Sequence, residues 1–194
     1  MIGKFAEWLV NCLSGGLEVS EAEKKVAAYG IEGIISSMIG YGLVLLLGMV
    51  FQCFYEAVIF SIVFSTLRKY VGGYHAKTFV ACKCIVCLTF MGQMVLSRFL
   101  LQTAPFIFGN IAGILFIFIV WKYAPIRNQN KRYYEGQIEH LQKVGRALSV
   151  IVYMISILIY FLNRTIYSIV IATIIIVMLL MMKEVIRDEK NGES

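Results

Sequence analysis

The sequence predicts an all-α polytopic membrane protein of about six transmembrane helices, with an amphipathic interfacial helix at its N-terminus. Two features of its 194 residues carry that prediction. Apolar residues make up 59% of the chain and charged residues only 15%, against about 25% charged in an ordinary soluble domain. Apolar runs of roughly the length that crosses a bilayer also recur from Ile31 to Met182. The cations then test the count of crossings. With six crossings and both termini on one side, 16 Lys and Arg fall on that side, leaving Arg98 and Arg164 on the other. Making the second span re-entrant worsens the division to 13 against 5. Positive residues accumulate on the cytosolic side, so six crossings with cytosolic termini is the better reading.

Each element follows from local pattern. Ile2, Phe5, Leu9, Cys12 and Leu13 recur at helical spacing opposite Lys4, Glu7 and Asn11, as expected of a short helix lying in the membrane surface. Ser14, Gly15 and Gly16 end it. Ser20 and Glu23 have capping-box spacing, so a second helix starts there with Glu21, Glu23, Lys24 and Lys25 solvated. Residues 31 to 67 are almost continuously apolar, and one straight helix over them would measure about 55 Å, against a hydrocarbon core of about 30 Å. The chain must therefore turn back, and Gly48, Gln52 and Glu56 place the break between residues 48 and 56.

That gives spans near 31–50 and 54–68, followed by 79–100, 104–121, 147–162 and 166–182, with Asn163, Arg164 and Thr165 joining the last two. The whole is one membrane-embedded domain, 1–194: an amphipathic cytosolic-face region over 1–30, a bundle over 31–182 and a cytosolic tail over 183–194. The first 13 residues carry Lys4 and Glu7 and show no removable signal peptide pattern. Five cysteines at 12, 53, 82, 84 and 87, three of them inside an apolar run, do not read as a disulfide framework.

Chemistry concentrates between Arg68 and Cys82, at the cytosolic boundary. His75 is one of two histidines, and Cys82 lies seven residues beyond it. A cysteine acts as a nucleophile through its thiolate, which an imidazole, a nearby cation or a helix N-terminus favours. All three are available here. In an unbroken helix, residues seven apart are separated by roughly 10.5 Å along the axis, too far for a hydrogen-bonded pair. His75 must then sit on a turn, and Gly72 and Gly73 permit a bend just before it. Arg68 and Lys83 are candidates to stabilise a thiolate or oxyanion, although both would also occur as plain interfacial cations.

No third member of a triad can be named, since Glu56 lies near the opposite boundary and Gln93 too deep in its span. A metal site is not expected. On a helix Cys84 and Cys87 lie about 60° apart in projection while Cys82 points away from both. The chain lacks an H-E-x-x-H motif, a G-x-S-x-G elbow and a phosphate-binding G-x-x-x-x-G-K-[ST] loop.

The string R-x-x-x-G-G-x-H-A-x-x-x-x-x-C, carried by Arg68, Gly72, Gly73, His75, Ala76 and Cys82, resembles the accessory gene regulator B (AgrB) family, membrane cysteine endopeptidases of bacterial quorum sensing. Length, number of apolar spans and Ala124-Pro125 followed by a basic stretch extend the resemblance over nearly the whole chain. Lys131-Arg132 stands where many members have Lys-Pro.

The resemblance implies an enzyme of the bacterial cell membrane that needs no cofactor. It would cleave the acidic C-terminal tail from a short precursor peptide with an amphipathic leader. Cys82 would be the nucleophile, His75 the general base, and Arg68, Gly72 and Gly73 would support them. The acyl-enzyme would be captured by a side chain of the peptide, closing a thiolactone or lactone. Exchange between thioesters is near thermoneutral, so a ring can close without ATP where water is kept out. A homodimer is also implied.

Lys77, Lys131 and Arg132 are candidates for attracting the acidic tail, each cation near the surface contributing on the order of 1 kcal/mol. Nucleic acid is a poor partner, because these cations follow membrane topology. The competing readings are a transporter or export channel for a signalling peptide, and a non-catalytic assembly factor. Few ionisable groups lie within the spans to build a pathway, chiefly Glu56, Lys83 and Arg98 near their edges.

Overall fold

A computed structural model describes residues 2–13, 20–72, 79–103, 105–125 and 137–190. Every regular element among them is a helix: α1 (Ile2–Leu13), α2 (Glu21–Val50), α3 (Phe54–Val71), α4 (Phe79–Gln102), α5 (Pro105–Tyr123), α6 (Gln137–Leu162) and α7 (Arg164–Lys190). The chain divides into two compact units, Met1–Leu43 and Val44–Ser194.

The first unit opens with α1, over Ile2–Leu13. Val10 is buried while Trp8 and Leu13 are exposed, and Gly3 lies against the carboxylate of Glu32. The start of α2 is the expected capping box. The Glu23 amide donates to Ser20 Oγ at 3.3 Å, and the Ser20 amide donates back to Glu23 Oε2 at 2.9 Å. Residues 14–19, which include the glycines expected to end α1, lie outside the described residues.

The second unit opens with the fold-back. α2 stops at Val50, Phe51 and Gln52 form a turn in which Gln52 adopts φ 55°, and the Cys53 amide donates to the Gly48 carbonyl at 2.7 Å. Gly48 is required there, because a Cβ would overlap the Ala57 side chain at the start of α3. The break thus falls inside the window that length and composition demanded.

α3 and α4 run antiparallel: the Cys53 thiol donates to the Met94 sulfur at 3.6 Å, and the Phe60 and Phe90 rings lie 5.4 Å apart. The buried face of α3 is Ala57, Phe60, Phe64, Leu67 and Val71, the three-and-four spacing of a helix stripe. α5 and α6 are likewise antiparallel, with Tyr153 Oη donating to Asn110 Oδ1 at 2.7 Å near one end and Arg146 donating to the Trp121 carbonyl at 3.0 Å near the other. α7 is the central helix, buried almost continuously from Tyr167 to Ile174. It therefore lacks a polar face, as a helix surrounded by others should.

Five helices, α2 and α4 to α7, are long and apolar enough to cross a membrane. The sixth expected span, α3, is an 18-residue helix carrying Glu56, Arg68 and Lys69, about 27 Å long at 1.5 Å per residue. It packs alongside the spanning helices, and the count of six rests on it.

Candidate functional site at the cation-rich end

The helix pairings bring five termini to one end of the second unit. The end of α3 meets the start of α4 because the two are antiparallel. The start of α6 joins them, since Gly145 faces the Tyr70 carbonyl closely enough that a Cβ would sit 3.1 Å from it. The end of α5 is tied to α6 by Arg146, whose guanidinium also stacks 5.6 Å from the Trp121 ring. The end of α7 arrives here because its start lies at the far end, where the Tyr167 ring is 5.1 Å from Tyr160. Nine of the eleven described Lys and Arg of this unit lie at this end, leaving Arg98 and Arg164 at the other.

Cys82 occupies the first turn of α4 and is half-buried. Cys84 is exposed and Cys87 half-buried, on other sides of the helix. The first turn of a helix presents amide groups without partners inside the helix and the positive end of its dipole, which favours an anion such as a thiolate. Opposite it, α3 ends at Gly72, whose φ of 87° belongs to the left-handed region and whose amide donates to the Arg68 carbonyl at 3.2 Å. α3 thus ends at Gly72, the first of the two glycines that the sequence offered for a bend. Gly73, His75, Lys77, Lys131 and Arg132 lie outside the described residues. Arg68 is half-buried, its guanidinium 5.4 Å over the Phe64 ring one turn earlier.

Sequence reasoning ranked Lys83 behind Arg68 and missed how deeply it sits. Lys83 is 8% exposed, the one charged side chain in the buried set among the described residues. It shares the core face of α4 with Val86, Phe90, Gln93, Met94 and Ser97. That register was readable, because 83, 86, 90, 93 and 97 repeat at three and four. Further along α4, an open apolar groove of about 300 Å³ runs against α7 between Ile85, Leu88, Gly92, Ile176 and Leu179. It offers no chemistry of its own. Among the described residues no three His, Cys, Asp or Glu side chains cluster as metal ligands would.

The architecture defines a multi-pass helical membrane protein with a thiol at the cation-rich end of its bundle. The chain belongs to the accessory gene regulator B (AgrB) family, whose model matches residues 3–182, nearly its whole length. Membership connects it with accessory gene regulator quorum sensing. Two proteins of Clostridium perfringens named as AgrB-like, one from strain 13 and one from strain SM101, are each 28% identical to it over 170 residues, covering 83% of this chain and 79% of theirs. No solved structure matches.

Proposed function

We propose that this protein is a cysteine endopeptidase of the bacterial cell membrane. It removes the C-terminal tail of a quorum-sensing precursor peptide and promotes closure of the remainder into a thiolactone or lactone. The observation that supports the reading is Cys82 in the first turn of α4, at the cation-rich end where α3 also ends at Gly72. The family match supports it.

In this mechanism His75 takes the Cys82 proton, and the sulfur attacks the scissile carbonyl carbon. The C–S bond forms as the carbonyl electrons move to oxygen. Collapse expels the tail's amine, which leaves with the proton from the imidazolium. A hydroxyl or thiol of the bound peptide then attacks the thioester, closing the ring and returning the sulfur to its starting state. Binding of the acidic tail by Lys77, Lys131 and Arg132 belongs to the same proposal, as does a homodimer.

Cations mark the cytosolic side, so the Cys82 end faces the cytosol. α3 crosses as the sixth span, with both termini inside. Residues 1–194 act as one membrane-embedded domain.

Site-resolved alkylation tests the core of this reading without knowledge of the substrate. With neutral iodoacetamide near neutral pH, Cys82 reacts faster than the exposed Cys84, and His75→Ala slows Cys82 alone. Equal rates at the two cysteines in both proteins would remove the preformed pair and move the transporter reading ahead. In cells making the precursor, Cys82→Ala leaves the peptide uncut while the protein still inserts; an assembly factor or transporter would leave cleavage intact.

A further inference from the structure

We propose that the groove between α4 and α7 seats one acyl chain of an anionic phospholipid, whose phosphate is held by Lys183 and Arg187 at the cation-rich end. This site stands apart from the cysteine-peptidase reading, since none of its residues belongs to that machinery.

The groove has one wall on each helix. Its α4 wall runs from Ile85 to Gly92 and its α7 wall from Ile176 to Leu180, each at the three-and-four spacing of a single helix face. Gly92 makes the room, because a Cβ there would meet only Ile176 Cδ1, at 4.0 Å. Leu88 and Leu179 are 65% and 58% exposed, so the groove opens outward, where the bilayer lies. The rise from Ile85 to Gly92 is about 10.5 Å, which fits inside one leaflet of a hydrocarbon core about 30 Å thick.

The lining selects the occupant. Thr89 is its sole polar side chain, and the Thr89 hydroxyl donates to the Val86 carbonyl of its own helix at 2.8 Å. An extended peptide would bring N–H and C=O groups into hydrocarbon with nothing to receive them. An acyl chain brings none.

Charge selects the headgroup. Toward the cation-rich end, the α7 line through Ile176 and Leu180 continues at Lys183 and Arg187, again three and four residues on. Lys183 is exposed, and Arg187 is half-buried with its Nη1 3.3 Å from Glu184 Oε1. An ammonium and a guanidinium each carry several donors, so either one holds a carboxylate and a phosphate oxygen together. The two parts are therefore stacked in the order in which a phospholipid presents them, phosphate at the boundary and chain running toward the mid-plane.

The competing explanation is that lipid bathes every membrane helix and that these cations only follow topology. The full-length protein in nanodiscs of equimolar phosphatidylcholine and phosphatidylglycerol separates the two. After release into mild detergent, native mass spectrometry finds one phosphatidylglycerol retained by each chain in preference to phosphatidylcholine. Gly92→Leu drives a side chain into the groove and removes the retained lipid. Lys183→Gln keeps a lipid but lowers the preference for phosphatidylglycerol about fivefold, the effect of one cation near an anionic surface. Arg187→Gln acts in the same direction. If Gly92→Leu does not insert, Leu88→Trp narrows the groove from its exposed rim and carries the same expectation.

No retained lipid, equal retention of the two lipids, or a preference that Lys183→Gln and Arg187→Gln leave unchanged overturns the headgroup seat. Retention unchanged by both Gly92→Leu and Leu88→Trp overturns the seat of the chain. Should those variants split a dimer or abolish precursor cleavage with lipid retention intact, the groove belongs to a second copy or to the peptide, and the lipid site falls.

Discussion

The two ends of the Val44–Ser194 unit are built on opposite principles. At the end away from Cys82, apolar and aromatic surfaces meet closely: the Phe106 ring lies tilted against Tyr160 at 4.7 Å, Phe161 meets Tyr160 edge-on, and Tyr167 presses its ring end against Gly109. Asn163 alone separates α6 from α7 there, and its side chain accepts from the Thr165 and Ile166 amides at 2.9 and 3.1 Å. At the other end, the helix termini converge with nine described cations, the buried Lys83 among them, a half-buried thiol and a backbone carbonyl against Gly145. One end is optimised for packing. The other accepts the desolvation of charge, the kind of local cost that accompanies reactive sites.

The sharpest break in that comparison is at Cys82 itself. Cys82→Ser should reduce precursor cleavage by at least about a thousandfold, as removal of a nucleophile does, without altering resistance of the purified protein to unfolding by dodecyl sulfate. Loss of stability with cleavage retained would invert the roles of the two ends. Substitutions in the far end should do the reverse. A Cβ at Gly109 overlaps the Tyr167 side chain, and one at Gly113 overlaps the Tyr153 ring. Tyr167 is fully buried and has nowhere to retreat. Gly109→Ala should therefore cost about 1–3 kcal/mol of stability, measured by dodecyl sulfate titration, with the Cys82 alkylation rate unchanged. Asn163→Ala removes a helix cap and should cost about 1 kcal/mol in the same titration.

The ends differed in how much of them could be read from sequence. The all-helical fold, the break near Gly48 and Gln52, the capping box at Ser20 and the polar interruption at Asn163 all follow from length, periodicity and residue chemistry, and the structure has each of them. The end of α3 at Gly72 was legible because a glycine adopts backbone conformations closed to other residues. Packing partners were not. Nothing local in the sequence says that Gly109 faces Tyr167 or that Gly145 faces Tyr70, since these pairs are 58 and 75 residues apart. The burial of Lys83 was legible in part. Its register with Val86 and Phe90 was visible, but positive-inside topology explained the same residue without it. Charge patterning says which side a cation belongs to, and only packing says how deep it goes.

Topology sharpens the comparison from outside the site. With six crossings, Cys12 near the N-terminus and a cysteine placed by Ser194→Cys at the C-terminus should react with a membrane-impermeant maleimide in vesicles of the same orientation. Labelling in opposite orientations would mean that α3 does not cross. The cation-rich end of α3 would then no longer share a membrane face with the N-terminus.

The smallest expected effect on stability is at the seam between α6 and α3. Gly145 lies against the Tyr70 carbonyl, and the added methyl in Gly145→Ala would meet it at 3.1 Å, tight but short of overlap. A shift of a few tenths of an ångström relieves it, so the stability change should stay below about 1 kcal/mol. The carbonyl it displaces belongs to the last turn of α3, two residues before the Gly72 bend. Any displacement reaches the α3 terminus at Gly72, from which the chain continues in sequence to His75. Gly145→Ala should therefore change precursor cleavage by more than its stability loss accounts for, whereas Gly109→Ala should change stability and leave the chemistry alone. Cleavage tracking stability equally in both variants would show that the two ends are not separable, and that the bundle responds as one body to a methyl group placed at either.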